Sequence, residues 1–353
     1  RDGLEIDAVL IRPLQESGRH PLIVFAHGGP ESHYSNGWMS NYSKPAHTMA
    51  ARGYAVVYPN YRGSTGRGVG FSKMGQQDYA DEEFNDLVDA KDAVVATGLA
   101  DPERVGISGG SYGGYASMWA ASALTEHFAA AVAFVGISNQ ISKFGTGDIP
   151  REMYYVHSRQ WPWDDWMWML ERSPVYHAGK TKTPLLIMAG DEDPRVHPGQ
   201  SLEMYRHVKL RTETPVRLVW YPDEVHGNRR TAAQLDYAMR FERWMNHFVK
   251  KQLYSYLINK SGFRDNLQVD NAICLFDCDT ARDNLRRALA SQYADGSVPH
   301  GFRPLNRLQY SDKPAWTMLA VPGLLKESGD LSFLDESVPY FESDDSGTVL
   351  DHV

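Results

Sequence analysis

Three side chains in this sequence are of the types that together perform nucleophilic chemistry. Ser111 lies in Gly109-Gly110-Ser111-Tyr112-Gly113, a G-x-S-x-G pattern. A serine hydroxyl is a weak nucleophile until a neighbouring base takes its proton. His226, in Glu224-Val225-His226-Gly227, is the candidate base. Asp193, in Gly190-Asp191-Glu192-Asp193-Pro194, is the candidate acid that would orient it. A loop Asp or a His before Gly is ordinary by itself. The order serine, acid, histidine is the chain order of one triad architecture, and it makes the three a joint signal for attack on a carbonyl carbon.

Such chemistry needs elements that bring distant residues to one edge. Arg104 to Leu124 reads as a buried strand, a tight glycine turn carrying Ser111, and a helix with a small-residue face. The turn strains the serine backbone and leaves helix-terminal amides free to stabilise an oxyanion. Pro21–Ala26 is a continuous apolar run, as a strand buried on both faces requires. It ends in His27-Gly28-Gly29-Pro30, which in this position matches the second segment of an oxyanion site. Tyr54–Tyr58, Ala129–Val135, Thr183–Ala189 and Val216–Tyr221 read as further strands, and Leu4–Arg12 as a half-buried edge strand. Helices are expected over Asp78–Ala96, Gln200–Leu210 and Ala232–Lys250. The acidic residues of the first are expected to form a solvated face. Asp193 follows one strand and His226 another.

Ile137–Tyr176 breaks the strand–helix rhythm and carries Trp161, Trp163, Trp166 and Trp168. We expect a packed helical insertion, part of which walls an apolar substrate pocket near Ser111.

Other chemistries fit less well. The glycines of Asn60–Gly70 lack the G-K-[ST] ending of a phosphate loop, and Asp191–Asp193 lacks the spacing of a calcium loop. Cys274 and Cys278 are the only cysteines. Their spacing fits neither a disulfide framework nor a zinc site, and suits buried thiols one helical turn apart. No cofactor or metal is expected. A net charge of −8 argues against nucleic acid as the main partner, and no apolar run is long enough to span a membrane. Few cysteines suit a reducing compartment such as the cytoplasm. The chain starts at Arg1 with no signal-like segment, so its N-terminus is expected to be cut or processed.

Residues 1 to about 250 resemble the catalytic domain of the prolyl oligopeptidase family of serine peptidases, in its acylaminoacyl-peptidase and dipeptidyl-peptidase branches. The likeness rests on His27–Pro30, Asn60-Tyr61-Arg62-Gly63-Ser64-Thr65-Gly66, Gly109–Tyr115, Gly190–Val196 and Glu224–Gly227. It implies an α/β-hydrolase fold with a mostly parallel, doubly wound sheet, and short peptides as substrates. It makes Ser111 the nucleophile, His226 the general base and Asp193 its orienting acid. It also implies an oxyanion hole of the Gly29 and Tyr112 amides, and a role for Arg195 in gripping a substrate carbonyl. A carboxylesterase using the same triad is the alternative within hydrolases. The family's N-terminal β-propeller is not part of this sequence, so we expect either its removal or an unscreened site.

Beyond Lys251 the strand–helix alternation stops. Leu253–Val353 reads as an all-α, loop-rich fragment. Its motifs, including Gly262–Gln268 and Tyr310–Trp316, resemble the cellobiose and chitobiose phosphorylases, whose catalytic domain is an α/α barrel. That resemblance implies a general acid at Asp312, donor-sugar contacts at Arg264 and Asp265, and a carbohydrate phosphorylase or sugar-binding fragment as a further alternative function. An incomplete barrel leaves helix faces unpartnered, so this part is expected to pack poorly. The expected division is a hydrolase domain over 1–251 and a partial helical segment over 252–353. With no linker between them, a chimeric or misassembled chain is expected.

Overall fold

Seven short strands pair into one sheet: β1 (Ala8–Ile11), β2 (His20–Ala26), β3 (Ala55–Pro59), β4 (Ala100–Gly110), β5 (Ala130–Phe134), β6 (Leu185–Gly190) and β7 (Val216–Tyr221). Their spatial order is β1-β3-β2-β4-β5-β6-β7. Only β1 is antiparallel to its neighbour, with Val9 opposite Tyr58. The other pairs are parallel, with Leu22 opposite Val105 and Ile107 opposite Ala131. The chain is a computed structural model that describes residues 1–14, 18–250, 267, 273–274, 277–302, 305–309 and 316–353. It divides into two units, Arg1–Lys251 and Gln252–Val353, and the sheet belongs to the first.

Alternation along the strands sends side chains to two faces, both covered by helices. Leu22, Val24, Val105 and Ile107 share a core with Phe84, Leu87 and Val88 of α1 (Glu82–Ala96) and with Tyr115 and Ala116 of α2 (Tyr112–Ser122). α2 is buried along its whole length, which explains its small residues. Phe25, on the other face, stacks on Tyr58 and on Phe241 of α5 (Thr231–Phe248). A Cβ on Gly106 would sit 2.7 Å from Met245 Sδ, so this glycine lets α5 lie close on the sheet. The order of strands reverses between β2 and β4. In open α/β sheets the crevice at the carboxyl ends of such a pair is where ligands bind.

Several expectations change in detail. The edge strand shrinks to Ala8–Ile11, the residues that pair with β3. α1 starts at Glu82, and its acidic residues are not all solvated. Glu83 and Asp86 are buried, because Tyr112 and Arg62 supply them with partners. The 137–176 excursion is a chain of short helices that includes α3 (Gln140–Thr146), a π-helical turn at Met153–Ser158 and a helix at Trp166–Glu171. Trp161 stacks on Trp163 and on Tyr154, while Trp163 and Trp166 stay half exposed. Between β6 and β7 runs α4 (Gly199–Arg211).

The second unit is not all-α. Beside α6 (Cys278–Leu289) and α7 (Thr317–Ser328) it forms two small antiparallel ladders. These are β8 (Pro299–Phe302) with β9 (Leu305–Gln309), and β10 (Ser337–Pro339) with β11 (Ser346–Thr348). Strands this short carry too few residues for alternation to show in sequence. Nor is the described part loosely packed. Leu285, Leu289, Leu324 and Phe333 are buried, and Arg282 and Arg286 both pair with Glu336. Cys274 and Cys278 do not share one helix. Asp277 caps a new helix between them, accepting from the Thr280 amide, and Cys278 is only partly buried. Arg264, Asp265 and Asp312 lie outside the described residues.

Candidate active site

Ser111 occupies the tight turn between β4 and α2, with φ 59° and ψ −118°. An L-residue adopts this conformation only when its surroundings enforce it. Two hydrogen bonds do so. The Ser111 amide donates to the Phe134 carbonyl at 2.9 Å, and the Ser111 carbonyl accepts from the Tyr115 amide at 3.0 Å. The turn also needs bare backbone beside it. A Cβ on Gly109 would lie 2.5 Å from the Ala26 carbonyl oxygen and 2.6 Å from that of Gly113. Tyr112 opens α2, so its amide is among those with no partner inside the helix.

The His27-Gly28-Gly29 segment leaves β2 directly beside this turn. A Cβ built on Gly28 would stand 3.3 Å from Ser111 Cβ and 3.0 Å from the Gly110 carbonyl oxygen. His27 itself is buried between aromatic rings, stacked on Tyr61 at 4.2 Å and edge-on to Tyr34 at 5.5 Å. Burial pushes its imidazole down to about 4, so the ring is neutral near pH 7.

Asp193 and His226 meet across the ends of β6 and β7. Asp193 Oδ2 is 2.7 Å from His226 Nδ1, and Oδ1 accepts from the amides of Arg195 at 2.8 Å and Val196 at 3.0 Å. The carboxylate is 2% exposed. A carboxylate only accepts, so Nδ1 carries the ring proton and Nε2 keeps its lone pair. The two loops are tied together. The Glu192 amide donates to the Glu224 carbonyl at 3.0 Å, and the Asp223 amide to Asp191 Oδ1 at 2.7 Å. The buried Glu224 carboxylate accepts from the amides of Arg229 at 2.6 Å and Arg230 at 2.9 Å, fixing the turn just past His226.

Arg195 is half exposed and its Nε donates to Asp148 Oδ1 at 2.7 Å. Asp148 therefore orients this guanidinium, a partner that sequence spacing does not reveal. The Asn60–Ser64 segment acts as scaffold. Asn60 accepts from the Tyr34 amide and donates to the Tyr34 carbonyl, and Arg62 makes a two-pronged pair with Asp86 at 2.8 and 2.6 Å. Sequence reasoning also passed over Glu83. It is fully buried, accepts from the Tyr112 hydroxyl at 2.6 Å, and has its carboxyl pushed up to about 8, chiefly by burial. The signal for it was weak: one acid in an acidic run.

Ser111 follows β4, Asp193 follows β6, His226 follows β7 and Gly29 follows β2. All four lie beyond the carboxyl ends of strands in one sheet.

Comparison with known proteins places the first unit in a family. Residues 40–252 match the prolyl oligopeptidase family. The chain is 36% identical over 237 residues to the uncharacterized peptidase YuxL of Bacillus subtilis, covering 65% of this chain and 35% of that protein. It is 35% identical over 256 residues to the acylamino-acid-releasing enzyme of Sus scrofa, covering 69% of this chain and 34% of the enzyme. Among solved structures it resembles the acylaminoacyl peptidase of Pyrococcus horikoshii. The TM-score there is 0.65 at 29% identity, over 72% of this chain and 41% of that one. The chain thus spans about a third of the length of the curated relatives it matches. The fold of the first unit is that of the α/β-hydrolases.

Proposed function

Because this chain belongs to the prolyl oligopeptidase family, we propose that it is a serine peptidase that cleaves short peptides through Ser111, His226 and Asp193. The observation that carries the reading is the 2.7 Å bond from His226 Nδ1 to a buried carboxylate, on the sheet edge that also presents Ser111. The bond leaves Nε2 as the proton acceptor. In the proposed cycle Nε2 takes the Ser111 hydroxyl proton as Oγ attacks the scissile carbonyl carbon. The carbonyl π pair moves onto oxygen, where the Gly29 and Tyr112 amides stabilise it. As the oxyanion collapses, the C–N bond breaks and the imidazolium gives its proton to the leaving amine. Water then attacks the acyl carbon as the same nitrogen takes its proton, the C–Oγ bond breaks, and the imidazolium returns that proton to Ser111 Oγ. Asp193 stabilises the imidazolium through its bond to Nδ1. In this reading Arg195, whose Nε donates to Asp148, grips a substrate carbonyl.

The relatives' names, acylamino-acid-releasing enzyme and acylaminoacyl peptidase, point to short peptides with a blocked amino end. A fluorophosphonate probe should label wild-type protein and leave Ser111→Ala unlabelled. The labelled enzyme should hydrolyse acyl-peptide p-nitroanilides, and activity confined to acyl esters would make it an esterase instead. Absence of labelling overturns the assignment of Ser111.

A further inference from the structure

We infer that His27 is a positioning residue for the oxyanion site, holding the Gly28–Gly29 peptide so that the Gly29 amide stays turned toward the reacting carbonyl oxygen. The inference rests on the proposed peptidase reading for what the Gly29 amide does. Its physical basis is one bond. His27 Nδ1 lies 2.8 Å from the carbonyl oxygen of Gly28. That carbonyl and the Gly29 N–H belong to the same planar trans peptide, in which the two dipoles point in opposite directions. Holding the carbonyl against the imidazole therefore turns the N–H the other way. A glycine pair needs such a tether, since neither residue has a side chain to fix the plane. The tether also stands in the right place, because Gly28 packs directly on Ser111 and Gly110.

The rest of the network fixes the ring. A carbonyl only accepts, so Nδ1 must bear the proton and Nε2 must accept. Ser64 Oγ lies 2.7 Å from Nε2. The Ser64 hydroxyl also donates to the Tyr61 carbonyl at 2.6 Å, which receives the Ser64 amide at 3.0 Å as well, so its one proton is shared between that oxygen and Nε2. Tyr61 stacks on the ring and donates its hydroxyl to the His27 carbonyl at 2.8 Å. The ring is 4% exposed, so water does not replace these bonds. The Asn60–Ser64 segment thus acts on the site through His27. A neutral ring with a fixed tautomer supplies one directed donor and adds no charge beside the forming oxyanion.

The test compares His27→Ala, His27→Asn and Ser64→Ala in the full chain, with Ser111→Ala as the blank. Asparagine can present an amide donor close to where Nδ1 stands, and alanine cannot. Losing one oxyanion donor costs on the order of 10²-fold in kcat in other enzymes. The expected result is that His27→Ala loses kcat by about that factor while KM changes less than about threefold. Affinity for a peptide aldehyde, which mimics the tetrahedral adduct, should fall in step with kcat. His27→Asn should recover much of both, and Ser64→Ala should lose a smaller part of kcat. Wild-type kcat in His27→Ala overturns the inference, as does an Asn variant no better than Ala. So does a loss in which kcat, KM and melting temperature move together in both His27→Ala and Ser64→Ala. Failure of the peptidase reading looks different: wild-type protein would then neither hydrolyse peptides nor take the probe.

Discussion

The Tyr112 hydroxyl donates to Glu83 Oε1 at 2.6 Å and so ties the first residue after the nucleophile elbow to the start of α1. The Ala80 amide donates to the same oxygen at 2.8 Å. Burial, with Asp78 and Asp86 nearby, pushes the Glu83 carboxyl up to about 8, while the two hydrogen bonds pull it down. The group is therefore protonated in the folded protein at neutral pH.

A stability slope follows from that protonation. Unfolded, the carboxyl titrates near its ordinary value of 4.5. Between the two values the folded state holds a proton that the unfolded state has released, so Glu83 makes stability fall as pH rises toward about 8. His27 acts with the opposite sign. Its folded value is about 4 against an ordinary 6.5, so its contribution is lost as pH falls through that window. Lys143, lowered to about 8 by burial, acts with the sign of His27, adding stability as pH rises through about 8. These windows overlap, so the Glu83 contribution is read as the difference in stability between wild type and Glu83→Gln. Thermal melts should show wild-type protein losing stability relative to Glu83→Gln as pH rises toward about 8, because a neutral amide replaces a neutral acid. Equal slopes in the two proteins would refute the assignment.

Asp193→Asn keeps the shape of the Asp193–His226 contact but removes its charge and its fixed acceptor. The amide can then donate to Nδ1 and force the ring proton onto Nε2, the nitrogen that must act as base. The expected loss in kcat is about 10⁴-fold with KM little changed. Single-turnover kinetics on an acyl-peptide anilide would measure it, and a loss below tenfold would mean that the acid is elsewhere.

The Arg62–Asp86 pair is nearly dry, with Arg62 also reaching Asp2 at 2.9 Å. Removing one partner of a buried pair costs about 3–5 kcal/mol, and the Asp2 carboxylate that stays beside Arg62 sets the loss here toward the lower end. Asp86→Ala should therefore cost stability on that order in urea unfolding of the first unit. A change below about 1 kcal/mol would show that the pair contributes little.

These buried acids mark where sequence reading stopped. The central strands were legible because strands covered on both faces must be continuously apolar, as in Leu22–Ala26. The elbow was legible because only glycine fits at positions 109 and 113, two residues to either side of Ser111. Glu83 and Asp86 read as solvent-facing acids, since their partners stand 29 and 24 residues away and no helical period connects them. His27 could be read as part of an oxyanion-site segment but not given a role of its own, because the bond from its ring to the next residue's carbonyl is a matter of rotamer. The Ser337–Pro339 and Ser346–Thr348 ladder was missed because three residues do not establish an alternation.

Two glycines beside the nucleophile should respond differently to one added methyl group. At Gly109 the new Cβ would meet only backbone, 2.5 Å from the Ala26 oxygen and 2.6 Å from the Gly113 oxygen. Neither can move without shifting a strand or the start of α2, so Gly109→Ala should unfold the protein or lower its melting point by many degrees. At Gly28 the neighbours are the Gly110 oxygen at 3.0 Å and Ser111 Cβ at 3.3 Å, and a shift of a few tenths of an ångström relieves both. Gly28→Ala should therefore fold. The relief displaces either the nucleophile or the peptide that presents the Gly29 amide, and small misplacements at a reacting centre cost rate steeply. The expected pattern is a melting point within a few degrees of wild type with kcat reduced by roughly tenfold or more. A Gly28→Ala enzyme with full activity would show that the oxyanion segment does not press on Ser111 during turnover.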